Sequence, residues 1–510
     1  MKIINNKFLL RGGNFYLKLK MEDVLMENQK KAFTICPHCH GLGKQKRRIK
    51  KKIQLRYQKE LETFENSNSE GIAPVRPEAT LMICPDCSGA GIIPSQNFPI
   101  PDENFPHVSI IGAGIGGIAL AIGCLHRGIP FTIFEKDSSF NERSQGYGLT
   151  LQQARKTLEN FGIFNLENGI ISNHHVVHDP DGKIVGQWGM RKWLGKVDKF
   201  TTQNNIQKSN IHIARQNLRL QLLQQLGGEN KVHWNHQFTG YEKDQEGKLQ
   251  LHFLENNIPK SYSADLLIGA DGIRSAVRKT VIAEEKTPLR YLDCMVILGI
   301  CELDKLQDLE SSLLDSATVF QTANGRERIY MMPFDQNSIM WQLSFPIDES
   351  AANQLSTDGK SALKKEALRR TPFHSPIPEI LQQTNENKIT GYPVYDRDLL
   401  TSEMLKNADS VTLLGDAAHP MSPFKGQGAN QALLDALFLA REIYKNCRPN
   451  SDWREKGIRE SVLTQFEAEM LTRTATKVED SAAAAKFLHS EIALFEGDEP
   501  RGRVLKRENL

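Results

Sequence analysis

Four of the chain's eight cysteines form two pairs of one spacing, Cys36-Pro-His-Cys39 and Cys84-Pro-Asp-Cys87, and each pair continues as x-Gly-x-Gly. Thiolates at this spacing fold into a knuckle whose backbone N–H groups face the sulfurs, and the glycines permit the turn that follows. Two knuckles supply four thiolates, the ligand set of a closed tetrahedral zinc site. The alternative is a dithiol that cycles between redox states, and neither pair has the βαβ surroundings of that chemistry. A second signature is Ser109-Ile-Ile-Gly112-Ala113-Gly114-Ile-Gly-Gly117, an apolar strand ending in a glycine turn that opens a helix, with Glu135 closing the next strand. Gly112 permits the tight turn, Gly114 lets the backbone approach a pyrophosphate, and Gly117 allows helix to pack closely on strand. The helix N-terminus offers N–H groups to the phosphate, and Glu135 would hold the ribose hydroxyls of the adenosine half. This motif alone serves FAD and NAD equally.

Two further turns separate them. Asp265-Leu-Leu-Ile-Gly-Ala-Asp271-Gly272-Ile-Arg-Ser275-Ala-Val-Arg278 and Leu414-Gly415-Asp416-Ala-Ala-His419-Pro420-x-x-Pro423-x-x-Gly426-x-Gly428-x-Asn430 are both apolar strands ending in an Asp-containing turn. With the glycine turn, in this order across residues 107 to about 490, the chain resembles the FAD-dependent aromatic-ring monooxygenases typified by para-hydroxybenzoate hydroxylase. The resemblance implies FAD as cofactor, NAD(P)H as reductant and O2 as co-substrate. It implies that Asp416 bonds a ribityl hydroxyl and that the helix beginning at Gly428 and Asn430 aims its N-terminus at the flavin pyrimidine edge, stabilising a reduced anionic flavin. Asp271 and Gly272 belong to the motif linked in the family to the FAD and NAD(P)H pyrophosphates. Arg215 matches an arginine at the flavin, and Arg143 falls near one beside the isoalloxazine or NADPH. Lys136 stands where related enzymes often have arginine, a departure from the family pattern at the adenosine contact.

In such a family the chemistry is borne by the flavin, and no side chain need act as acid or base. NAD(P)H reduces the flavin, O2 adds at its C4a carbon, and the hydroperoxide passes one oxygen to an electron-rich substrate. Pro420, Pro423 and Phe424, with Met421, would line the flavin face where the substrate sits, or only stiffen that loop. Met331, Met332, Phe334, Trp341, Gln342 and Phe345 lie in the strand-like runs that would form the rest of the pocket, although alternate strand positions face opposite sides and some must be core. The layout is most similar to the tetracycline-inactivating and salicylate-type monooxygenases, which implies an aromatic substrate, phenolic or polycyclic.

The elements that must position these groups follow from the pattern of apolar residues. A chain of 510 residues with 39% hydrophobic and 25% charged residues can bury more than one core. The expected fold is α/β: a Rossmann-like FAD-binding domain over 106–282 and 400–450, with an inserted, mostly antiparallel substrate sheet over 283–399 and a helical segment over 451–510. Residues 1–105 form a separate cysteine-rich module that ends in a proline-studded linker. Its motif resembles the zinc repeats of DnaJ-type chaperones, with two copies instead of four. Between the knuckles, Lys44 to Lys59 carries nine basic residues and no acid. That run suits nucleic acid, an acidic partner, a membrane surface or simply a solvated helix face. The N-terminus lacks the apolar core of a signal peptide, and the most apolar stretch, from Val108 to Leu125, is broken by glycines. A cytoplasmic location without membrane spans is therefore expected. Two other functions share these features: a flavin reductase or dehydrogenase of the same fold, and a flavin-containing sensor whose zinc module binds a macromolecule.

Overall fold

The computed structural model describes residues 32–67, 72–143, 147–152, 154–189, 210–245, 247–500 and 502. The chain divides into two compact units, residues 1–100 and 101–510. No helix among the described residues is long and apolar enough to cross a membrane.

The larger unit is built on a five-stranded parallel sheet in the order Val232–His233, Phe131–Phe134, Val108–Ile111, Leu266–Gly269, Val411–Leu413. All four residues of the central strand Val108–Ile111 are buried, as a parallel strand covered on both faces requires. The helix Ile115–Leu125 is apolar on every side, and ten of its eleven residues are buried. It packs between the sheet and the helix Gly428–Asn446, and the approach is close: a Cβ on Gly123 would lie 2.8 Å from the Cβ of Ala440. An antiparallel meander, His236–Lys243, Leu249–Glu255 and Ile258–Ala264, precedes the fourth strand of the parallel sheet.

The second sheet has seven strands: Ile184–Trp188, His174–His178, Thr318–Ala323, Arg328–Asp335, Ser338–Pro346, Leu289–Glu302 and Ile389–Arg397. Every pairing is antiparallel except that of Thr318–Ala323 with His174–His178. Its first two strands come from the stretch expected to belong to the flavin domain. Helices Glu349–Thr357, Lys360–Arg370 and Ile377–Gln383 cover one face. Met331, Trp341 and Phe345 point into that core beside Leu363, Ile377 and Leu381. The opposite face carries Met332 and Met340 and meets Phe424 and Ala485. The long helix Thr464–Phe487 buries Phe466, Met470, Val478 and Ala484 along one stripe, so the tail is part of the core and not a loose appendage.

Candidate active site and cysteine cluster

The three turns named from the sequence converge. At the first, Gly112 sits at φ +107°, and a Cβ there would lie 2.5 Å from the Ala270 carbonyl oxygen; a Cβ on Gly117 would lie 1.9 Å from the Gly112 oxygen. Both positions require glycine for packing. Gly114 differs, because its backbone is extended and a Cβ there would meet nothing within 4 Å. The space in front of it is open. Glu135 accepts a hydrogen bond from the Ala113 N–H at 2.8 Å, so the acid and the glycine turn are already joined, and Lys136 is exposed beside it. At the second turn, Asp271 accepts from the Ser275 hydroxyl and from the N–H groups of Ala276 (2.7 Å) and Val277 (3.3 Å). Its carboxylate thereby caps a short helix and leaves Gly272, at φ +84°, facing open space. Burial raises the Asp271 carboxyl above its usual range. At the third turn, burial likewise raises Asp416, opposed by His419 and Arg215.

A cavity of about 800 Å³ runs from these turns to the seven-stranded sheet. Gly114, Gly272, Arg215, Asp416, Gly428, Pro420, Pro423 and Phe424 border it, and Arg328, Tyr330, Met332, Met340 and Gln342 form its other wall. Gly112, Ala113, Gly117, Glu135, Lys136, Asp271 and Asn430 do not border it. The Arg143 side chain lies outside the described residues. Of the residues expected in the pocket wall, Met332 and Gln342 face the cavity, whereas Met331, Trp341 and Phe345 face the helix-covered core. The period of two along each strand explains the split. Asn430 is 1% exposed, and its amide is fully used. It donates to the Thr150 and Gly426 carbonyls at 2.9 and 2.8 Å and accepts from the N–H groups of Gln152 and Ala154 at 2.9 and 3.3 Å. It therefore locks the start of the helix Gly428–Asn446 to the strand Gly148–Leu151.

Residues 106–454 match the family model described as FAD binding domain. The chain belongs to that family. Among curated relatives, the aurachin C monooxygenase/isomerase of Stigmatella aurantiaca is 27% identical over 66% of this chain and 79% of its own length. The 6-methylsalicylate 1-monooxygenase of Aspergillus terreus is 26% identical over 79% of this chain and 87% of its own. The crystal structure of Klebsiella pneumoniae HpxO complexed with FAD and uric acid superposes with a TM-score of 0.61 at 18% identity, covering 79% of this chain and 92% of that one. The protein is thus an FAD-dependent monooxygenase in fold and family, as its three turns imply.

Two buried arginines hold the turns of this flavoprotein together: Arg278, which ends the second motif, and Arg219, which lies in none of the three. Arg219 donates from Nε to the Ala113 carbonyl at 2.8 Å and lies 4.9 Å from the Phe140 ring centroid. Its position four residues after Arg215, on the same helix face, is the signal that could have found it. Arg278 joins the second turn to the third, donating to the Ala417 and Ala418 carbonyls at 2.8 and 3.2 Å and to the Thr287 hydroxyl at 2.7 Å. Behind the third turn, Asp435 accepts from the Gly415 N–H (2.9 Å), from His419 Nε2 (2.6 Å) and from Arg473 (2.7 Å). Burial pushes the Asp435 carboxyl up, but His419 and Arg473 outweigh it and hold it below its ordinary range. A separate hydrogen-bonded chain borders the cavity. It runs from the Thr150 hydroxyl to His212 (3.1 Å), on to Ser172 (2.7 Å) and to His175 (3.3 Å). Burial drives His212 down to about 3 and His175 to about 4, so both rings are neutral.

In the smaller unit, Cys36, Cys39, Cys84 and Cys87 are buried with their sulfurs within 4.8 Å of one another. Two of the Sγ–Sγ separations, 3.9 and 3.7 Å, are near the roughly 3.8 Å edge of a tetrahedron with zinc–sulfur bonds of about 2.3 Å. Gly43 and Gly91 donate backbone N–H bonds to Cys39 and Cys87 at 3.1 and 3.2 Å, and Gln45 reaches Cys84 at 3.2 Å. The two knuckles cross closely: a Cβ on Gly43 would lie 2.2 Å from the Gly89 oxygen, and one on Gly91 would lie 2.5 Å from the Gly41 oxygen. Between them the strands Lys44–Lys46 and Leu81–Ile83 pair, and the helix Lys51–Asn66 rises from that neck without burying a residue. A solvated face is what such a helix presents.

Proposed function

We propose that the protein is an NAD(P)H- and O2-dependent monooxygenase that adds one oxygen atom to an aromatic or polycyclic small molecule. The observation that carries this reading is the single cavity bordered by dinucleotide turns on one side and by a mixed apolar and polar sheet face on the other. FAD fits the donor set. Gly114 leaves room for a diphosphate to approach the backbone at the N-terminus of the helix Ile115–Leu125, with Gly112, Ala113 and Gly117 shaping that turn. Glu135 and Lys136 would meet the adenosine half, and Asp271 and Gly272 would support the pyrophosphate turn. Asp416, Arg215, Gly428 and the helix fixed by Asn430 would surround the ribityl chain and the ring, with Arg143 beside it. FAD bound there would accept hydride from NAD(P)H and activate O2 for transfer to the substrate.

The chain's own residues bind, orient and exclude water. Pro420, Pro423 and Phe424 form one wall of the ring site. This loop is held in place by the tail, since the Ser422 hydroxyl donates to the Ser481 carbonyl at 2.6 Å and the Phe424 ring meets His489 at 5.4 Å. A wall fixed in this way keeps water from the reacting oxygen. In the smaller unit, Cys36, Cys39, Cys84 and Cys87 would hold a structural zinc ion. The names of two relatives, an aurachin C monooxygenase and a 6-methylsalicylate 1-monooxygenase, support an aromatic substrate. The test is NADPH oxidation and O2 uptake by purified protein across phenols, salicylates and tetracyclines, with mass spectrometry of the products. A product heavier by one oxygen atom is expected. A yellow protein that oxidises NADPH without O2 incorporation would point to the reductase alternative.

A further inference from the structure

Most of the exposed large apolar side chains among the described residues belong to the smaller unit, although it is much the shorter of the two. Three of them stand among its cations. In the neck, Lys44 lies opposite Ile83 and Lys46 opposite Leu81. Residues opposite each other in an antiparallel pair project from the same face. One face of the neck therefore alternates lysine with aliphatic side chains, and Leu81 and Ile83 are 62% and 53% exposed. On the helix Lys51–Asn66, Leu55 is 48% exposed and shares its face with Lys51, Lys52 and Lys59, three or four residues away.

All nine basic residues between Lys44 and Lys59 are exposed, and Arg56 alone is ion-paired among the described residues, to Glu60 at 2.7 Å. Lys50, Lys51 and Lys52 stand at the start of the helix, where cations oppose its dipole, so the helix gains no stability from them. Its acids, Glu60, Glu62 and Glu65, lie in its second half. So much positive charge, left unneutralised along one short stretch, attracts a polyanionic surface. The residues between the charges distinguish which surface. A phosphate backbone or a stacked base is met by hydrogen-bonding and aromatic side chains. Here the intervening residues are aliphatic, and they can enter the acyl boundary of a bilayer while the lysine heads remain among the headgroups. We propose that the neck and the first half of this helix dock on an anionic lipid bilayer, with Leu55, Leu81 and Ile83 inserted and the lysines on the lipid headgroups. The smaller unit then serves as a reversible tether that holds the enzyme where apolar small molecules collect. In the free protein the same face is solvated. The inference does not depend on the monooxygenase reading, because it concerns residues that take no part in cofactor binding.

The test is flotation of the full-length protein with vesicles of phosphatidylcholine alone or of phosphatidylcholine mixed with the anionic phosphatidylglycerol. The wild type is expected to bind the mixed vesicles at least tenfold more strongly, and to lose most of that binding in ~0.5 M salt. Replacing Lys50, Lys51 and Lys52 together by glutamine should weaken it about a hundredfold, at a factor of about five for each charge. Leu81→Ser combined with Ile83→Ser should weaken it about tenfold or more while leaving the charge unchanged. Melting temperature and metal content of each variant report whether it has folded. If a variant fails on either count, the wild type's preference between the two vesicles and its response to salt still decide. Equal binding to both vesicles, or none to either, would overturn the proposal. So would anionic binding that survives loss of the three lysines or of the two aliphatic side chains. Tighter binding of a DNA duplex or an RNA in the same salt, indifferent to the serine substitutions, would assign the surface to nucleic acid and overturn it as well.

Discussion

Gly114 and Gly117 stand three residues apart in one turn, yet replacing each by alanine should damage different things. The Gly114 backbone has φ −76° and ψ −175°, a conformation open to any residue, and a Cβ there touches nothing within 4 Å. Gly114→Ala should leave the fold intact and stabilise it by up to about 1 kcal/mol, because alanine restricts the unfolded chain. The added methyl fills the space through which a diphosphate would reach the helix N-terminus. Displacing the phosphate from one charge-assisted N–H bond costs about 1.5–3 kcal/mol, which is a rise in the Kd for FAD of roughly ten- to a hundredfold. Gly117→Ala places its Cβ 1.9 Å from the Gly112 carbonyl oxygen, where backbone must move, and a loss of several kcal/mol of stability is expected. The assays are thermal or urea unfolding without cofactor and titration of flavin-depleted protein with FAD, followed by fluorescence quenching. If Gly114→Ala binds FAD like the wild type, the diphosphate does not cross this turn and the placement of the cofactor is wrong. If it melts well below the wild type, the space in front of Gly114 is not the open cradle described.

Metal analysis should find one zinc per chain, and Cys84→Ser or prolonged chelation should release it and unfold residues 32–95 as seen by hydrogen exchange. Trp341→Ala should cost about 3–5 kcal/mol in urea unfolding, because the ring is fully buried under the three helices and its Nε1 donates to Thr384 at 2.9 Å; the ratio of kcat/KM between substrates should stay unchanged. Gln342→Ala should do the reverse, altering KM with little loss of stability. The depressed Asp435 carboxyl contributes stability that is complete above its unfolded value of about 3.9 and is lost as pH falls through its lower folded value. Asp435→Asn should therefore cost about 3 kcal/mol at pH 7 and flatten the acid limb of the stability profile, measured by urea unfolding between pH 3 and 7.

The turns were legible because each is a local device: strand, glycine and acid lie within a few residues, and the backbone conformation they need is written in their order. The cysteine cluster was legible for the same reason, since both knuckles are short and self-templating. What the sequence left open depends on contacts distant along the chain. Whether Met331 or Met332 faces the cavity is decided by the helices at 349–383, which cover one side of the sheet and leave the other to the cavity. The strands His174–His178 and Ile184–Trp188 join a sheet whose other members begin over a hundred residues later. The sequence places Asn430 at the start of a helix, and that its amide binds four backbone groups and so fixes this helix start is legible only in the fold.

The neck below the basic helix has an engineering consequence. The chain leaves the first knuckle through Lys44–Lys46 and returns to the second through Leu81–Ile83, with the Arg47 N–H bonded to the Thr80 carbonyl at 2.7 Å. Departure and return points are therefore fixed side by side, whatever is strung between them. Because doubling the length of a flexible loop costs only about 0.6 kcal/mol, the span from 48 to 79 is a natural splice point. A tag, a reporter domain or a much shorter linker could replace it while the thiolates, and any metal they hold, keep their geometry.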